Sequence, residues 1–175
     1  LSSVVFGRSI MYLGLNTFIV LYFMNHFHES QNFSNLLLSV YYGIGALFTL
    51  IGGKLGDKHG YRTFVRFGFL LAFPAALILA WTDSSILGIL CLIVLGAALN
   101  LTYSPMVVLG QQYLPNRVGL ASGITLGLAV SVGGITAPLL GKVGDMYGLE
   151  TTFYVIALIT LIPLISSFTL QNPKK

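Results

Sequence analysis

The chain has 175 residues, of which 55% are hydrophobic and only 8% charged. Soluble domains carry about 25% charged residues, so five acids and nine bases are too few to cover a water-exposed surface, and the apolar surplus points to lipid as the solvent. The net charge of +4 does not point to nucleic acid, because the few bases sit at the edges of long apolar runs.

About 20 apolar residues are needed to cross a bilayer as a helix. Six runs qualify: residues 3–25, 35–53, 63–81, 86–109, 118–140 and 151–170. Short polar connections such as "HFHESQNFS", "KLGDKHGYR" and "GQQYLPNR" separate them. A charge at the bilayer centre costs about 3 kcal/mol, whereas a Leu gains only about 0.5, which is why the runs are nearly free of charge. The sequence opens on Leu1 with no basic leader, so no signal peptide is visible and the chain reads as part of a longer one.

The first run carries Arg8, Tyr12 and Asn16. Their spacing puts them on one helical face, with about 40° of drift per step. Such a stripe belongs against protein or a water-filled cavity, since lipid cannot satisfy it. It reads either as a substrate pathway, or as separate packing, snorkelling and interfacial roles for the three residues. The second run ends in "GGKLGDKHGYRT", Gly52 to Thr63. Pro74 interrupts the third. In the fourth, Asn100, Tyr103 and Ser104 share a face and precede Pro105, which removes a backbone donor and frees a carbonyl near Leu101. This suits a cavity wall or hinge, or alternatively a packing kink. Cys91 stands alone in the same run, with no partner for a disulfide or a metal set, and reads as a small buried apolar residue.

The fifth run repeats small residues every four positions, at Gly119, Gly123, Gly127 and Ser131. This pattern predicts close helix packing, with Gly133, Gly134 and Pro138 as places where the helix bends. Pro163 interrupts the sixth run. Just before it, "GKVGDMYG" at Gly141 to Gly148 matches Gly53 to Gly60 at five of eight positions. Three crossings separate the copies, so they are expected at opposite membrane faces. That is the mark of an inverted 3+3 repeat. Placing both ends on the cytoplasmic side puts Arg8, Lys54, Lys58, Arg62, Arg66, Arg117, Lys174 and Lys175 there and only Lys142 opposite, as the positive-inside rule requires. The outer connections then hold His26, His28, Glu29, Asp83, Asp145 and Glu150.

The first copy resembles the signature loop of the major facilitator superfamily: Gly53, Leu55, Gly56, Asp57, Lys58, Gly60 and Arg62 match, and Tyr61 stands where a basic residue is usual. Residues 107–145 are similar to the carboxy-terminal half of the fosmidomycin-resistance branch, a group of drug-efflux carriers. The resemblance implies an all-α integral membrane fold, with six transmembrane helices as an inverted 3+3 repeat, and one half of a major facilitator fold. It further implies a secondary active transporter half for drug or small-molecule efflux, an antiporter resident in the plasma (inner) membrane. Partners would be the bilayer, a small-molecule substrate, and an amino-terminal six-helix half or a second copy of the chain. The seven motif residues would act as a conformational latch, though a plain charged turn that stops the helix also fits.

Arg8, Tyr12, Asn16, Asn100, Tyr103 and Ser104 are the candidate cavity-lining residues. Gly119, Gly123, Gly127, Ser131, Pro105 and Pro138 are the candidates for packing or hinge motion. The apolar, aromatic wall suits amphipathic or lipophilic compounds. Fosmidomycin is anionic, and Arg8 is the one intramembrane base able to meet such a charge. No Asp or Glu lies deep in a span, so proton coupling is expected from the other half. No catalytic motif, metal set or cofactor loop is present in the sequence, and a non-enzymatic protein is expected. The alternative reading is a six-span scaffold or pore-forming subunit without transport activity.

Overall fold

Each apolar run folds as a helix because a lipid-facing backbone must satisfy its own hydrogen bonds. In the computed structural model, which describes residues 1–171, these helices are α1 (Ser2–Asn25), α2 (Gln31–His59), α3 (Tyr61–Trp81), α4 (Ser85–Leu101), α5 (Tyr103–Tyr113), α6 (Val118–Tyr147), α7 (Leu149–Ile159) and α8 (Leu161–Phe168). A 3₁₀ turn at Pro115–Arg117 precedes α6. α4 with α5 and α7 with α8 form two interrupted crossings, so six helical paths are long and apolar enough to span a membrane. Lys174 and Lys175, counted above for orientation, lie outside the described residues.

The interruptions follow proline chemistry. Pro105 and Pro163 each lack the N–H that would bond four residues back. The helix breaks at Thr102 and Thr160 respectively. Pro74 and Pro138 sit inside helices that stay continuous.

The polar stretches "KLGDKHGYR" and "GKVGDMYG" are largely helical. Helix α2 continues through Asp57 to His59, and α6 through Asp145 to Tyr147. Polar side chains end the apolar signal, not the helix, which simply projects beyond the apolar layer. Each reversal is made by a single glycine: Gly60 at φ 93° and Gly148 at φ 92°, a conformation that L side chains avoid. Both donate backwards by the same 2.9 Å bond, Gly60 to the Gly56 carbonyl and Gly148 to the Gly144 carbonyl. The two copies of the phrase are therefore the same helix end, built once at each end of the bundle. The end holding Gly60 is called the near end here, and the end holding Gly148 the far end.

Helix α1 is the most enclosed, packed against α2, α6, α7 and α8. Tyr22 anchors it, stacked on Phe153 at 3.9 Å and donating to the Leu79 carbonyl at 2.8 Å. Its close approaches use glycine: Gly7 lies against Pro163, and Gly14 against Ile156 and Leu140. Helices α2 and α6 are the least buried. The stripe Gly119, Gly123, Gly127, expected as a contact face, meets nothing within 4 Å in this chain, and Ser131 is exposed. Periodicity marks a smooth face without saying what covers it. α6 instead packs on α1 nearly two turns beyond Gly127, where Gly133 admits the Leu13 side chain.

Candidate functional site

Arg8 sits roughly 9 Å along α1 from its start, at 1.5 Å per residue. It is 4% exposed. A guanidinium in that position needs partners, and it finds them on its own helix and on α4 and α5. Its Nε donates to the Leu99 carbonyl at 3.0 Å. Its charge lies 5.1 Å from the Tyr12 ring centre and 4.8 Å from that of Tyr103, both within the range of attraction between a cation and an aromatic face. The Leu99 carbonyl is also bonded by Thr102 Oγ1 at 2.8 Å, at the break before Pro105. The kink thus presents an acceptor to the buried cation.

Around this group lies a cavity of about 420 Å³, lined by Arg8, Tyr12, Thr49, Asn100, Tyr103 and Val130 among others. Small-molecule sites are usually of this size and mostly apolar, with few polar groups. Asn100 donates to the Gly96 carbonyl at 2.8 Å and fills the space beside Gly45, where an added Cβ would lie 2.6 Å from its Nδ2. Thr49 turns its hydroxyl onto the Gly45 carbonyl at 2.9 Å.

Four of the six candidate lining residues therefore come together: Arg8, Tyr12, Asn100 and Tyr103. Asn16 and Ser104 are not among the lining residues. Two steps of about 40° carry Asn16 off the face that Arg8 defines, and its Oδ1 is buried without a partner among the described residues. Ser104 packs against α2, its Oγ 2.9 Å from where a Cβ on Gly53 would lie. The sequence reading missed Thr49 and the α6 residues Ala129 and Val130. Thr49 lies about one turn before the motif and carried a weak polar signal, whereas Ala129 and Val130 carried none.

At the near end, Asp57 is exposed and accepts from the Tyr61 hydroxyl. The departure at Tyr61 thus supplies a neutral hydrogen bond one turn away, across the Gly60 reversal. Gly56 makes room for the ring, since a Cβ there would lie 2.6 Å from Tyr61 Cδ1. Lys58 and His59 occupy the last turn of α2, where cations complement the helix dipole. Leu55 is half-buried, as are Gly53 and Arg62. Pro105 is buried at the start of α5, and Pro138 is exposed on α6. No cluster of metal-ligating side chains occurs among the described residues.

An apolar six-path helical bundle with a largely apolar, cation-bearing cavity between its helices fits the class of membrane transporter domains. The pattern of the Major Facilitator Superfamily matches residues 1–175, and the chain belongs to that family. It is 30% identical over 98% of its length to the fosmidomycin resistance protein of Escherichia coli (strain K12), covering 42% of that protein. It is 32% identical over 92% of its length to the MFS-type transporter YfnC of Bacillus subtilis (strain 168), covering 39%. The chain thus spans about two fifths of the length of the curated relatives it matches. The fold matches a peptide transporter POT in complex with alafosfalin, with a TM-score of 0.86 at 20% identity, over 95% of this chain and 36% of that one. It also matches the proton:xylose symporter XylE, with a TM-score of 0.72 at 14% identity, over 98% and 43%.

Proposed function

We propose that the chain is one six-helix half of a secondary transporter that exports small molecules by alternating access. The observation that carries this reading is the buried Arg8 held between Tyr12 and Tyr103 on the wall of an otherwise apolar cavity. A fixed cation there selects an amphipathic molecule with a negative or hydrogen-bond-accepting end. The aromatic walls take its apolar part. The 30% identity to a fosmidomycin resistance protein supports drug efflux, with a coupling proton handled by the other half.

The uncovered glycine face of α6 and the exposed apolar side chains of α2, among them Leu36, Val40, Leu47 and Leu50, support a second six-helix body, supplied by an amino-terminal half or another copy of this chain. The basic cluster of Lys54, Lys58, Arg62 and Arg66 makes the near end cytoplasmic on the positive-inside rule, in the plasma membrane. Asp57 and Tyr61 then form a latch within Gly53–Arg62, closed in one state of the cycle and open in the other.

Native mass spectrometry of the protein released from nanodiscs tests the pairing. A twelve-helix particle is expected, from one longer polypeptide or from two copies. Gly127→Trp, which places a large ring on the uncovered face, is expected to split or destabilise it. A monodisperse six-helix particle contradicts the proposal.

A further inference from the structure

The far end of the bundle holds a second polar centre, separate from the Arg8 cavity. His26 ends α1, its backbone N–H donating to the Tyr22 carbonyl. Its ring lies stacked on Tyr22 at 4.9 Å and edge-on to Phe27 at 4.8 Å, and its side chain is only 10% exposed. Both ring nitrogens are engaged. Nδ1 is 2.8 Å from Glu150 Oε1, in the first turn of α7. Nε2 is 2.9 Å from the Thr82 carbonyl, at the end of α3. Asp83, 97% exposed, stands 3.6 Å from Nε2. Beside the ring lies a cavity of about 370 Å³ lined by Asn25, His26, Tyr147 and Glu150 among others, which gives water a route to it. The remaining acid nearby, Glu29, is bonded to Ser85 Oγ at 2.5 Å.

This geometry fixes a proton count. A carbonyl oxygen and an ionised carboxylate only accept hydrogen bonds. A neutral imidazole donates from one nitrogen and presents a lone pair at the other. A neutral ring facing Thr82 and an ionised Glu150 would turn that lone pair against an oxygen. Satisfying both contacts requires one more proton, shared along the line from Nδ1 to Glu150. The position favours it. A cation at the C-terminal end of α1 and an anion in the first turn of α7 both complement their helix dipoles, and Asp83 adds attraction.

We propose that His26, Glu150 and the Thr82 carbonyl form a proton-binding clamp. With the proton bound, the far ends of α1, α3 and α7 are tied together. When the proton leaves, one of the two ring contacts turns repulsive and the three ends separate. The clamp is closed with the proton bound, and a higher pH favours the open form. α1 also carries Arg8 and Tyr12, so the clamp restrains the helix that lines the cavity. That consequence rests on the transport reading above, whereas the clamp itself does not.

Hydrogen–deuterium exchange of the full-length protein in nanodiscs, at about pH 5.5 and about pH 8, spans the range in which a histidine changes charge. Rates are corrected for the intrinsic pH dependence of amide exchange. Segments 25–30, 82–85 and 148–151 are expected to exchange roughly tenfold faster at the higher pH, the effect of one charge-assisted hydrogen bond. His28→Asn, which alters an exposed neighbour, is expected to behave as the unaltered protein. His26→Gln is expected to lose the pH dependence. Glu150→Gln is the sharper test, because its amide can donate to Nδ1 of a neutral ring. It should stay protected at both pH values, and it answers the question even if His26→Gln fails to fold. The proposal is overturned if the unaltered protein shows no pH dependence, if the dependence survives in His26→Gln, or if Glu150→Gln opens at high pH. Transport assays on the same variants report separately on the transport reading.

Discussion

Replacing Arg8 with Gln is expected, on the transport reading proposed above, to lower export of a small anionic drug by about ten- to a hundredfold, with expression and folding retained. The size follows from losing a hydrogen bond to a charged group, about 1.5–3 kcal/mol, at a site where the aromatic walls cannot replace it. The fold should survive for a physical reason. The Leu99 carbonyl that Arg8 bonds keeps its second partner, Thr102 Oγ1. Exchanging a buried charge for a neutral side chain of similar reach removes a desolvation cost, so stability stays level or rises. Arg8→Lys should fall between the two, because an ammonium keeps the charge but lacks the flat face that lies over Tyr12 and Tyr103. Growth in graded drug, together with thermal unfolding of each variant, separates the functional loss from a structural one. Undiminished export in Arg8→Gln would remove Arg8 from the substrate path.

The largest purely structural effect is expected at Gly52. A Cβ there would enter the space of the Leu101 carbonyl, a backbone atom at the break between α4 and α5 that has little room to retreat. Gly52→Val is expected to destabilise the bundle by roughly 1–3 kcal/mol, the usual cost of overpacking, and Gly52→Ala by less. Gly43→Ala, on the same helix, meets nothing within 4 Å. It should be neutral or stabilising by up to about 1 kcal/mol, the helix preference of Ala over Gly. Thermal unfolding in one detergent ranks the three. Equal effects at Gly43 and Gly52 would mean that α2 does not approach α4 as closely as described.

The six crossings were legible because hydropathy is a local signal and the bilayer sets its length. The two glycine reversals were legible as well, since the repeated phrase marks them, but not the helix that runs on into them. Lys54, Asp57 and Lys58 look like a loop by polarity, yet nothing in them breaks a helix before Gly60. Arg8 and Tyr12 were recognisable as a stripe. The meeting of Arg8 with Tyr103 and the Leu99 carbonyl, more than 90 residues away, depends on how α1 crosses α4 and α5, which no local pattern records.

The glycines of α6 read as a face for close packing, and within this chain nothing lies within 4 Å of it at Gly119, Gly123 and Gly127, because a small-residue stripe does not record which body packs against it. The far-end clamp was half visible. His26, Asp83 and Glu150 each fall in a different connection on one side of the bundle, but only the fold brings the first connection against the other two.

The account turns on the Arg8 cavity opening in turn to each side of the membrane. Val130 lines that cavity and is otherwise uncovered by this chain, and the one thiol of this sequence, Cys91, is buried. Val130→Cys in a background freed of all other cysteines, Cys91→Ala among them, can therefore be probed with a membrane-impermeant thiol reagent in right-side-out and inside-out vesicles. Labelling from both sides, slowed by substrate in each case, is the expected result. Labelling from one side only, or from neither, would contradict alternating access through this cavity.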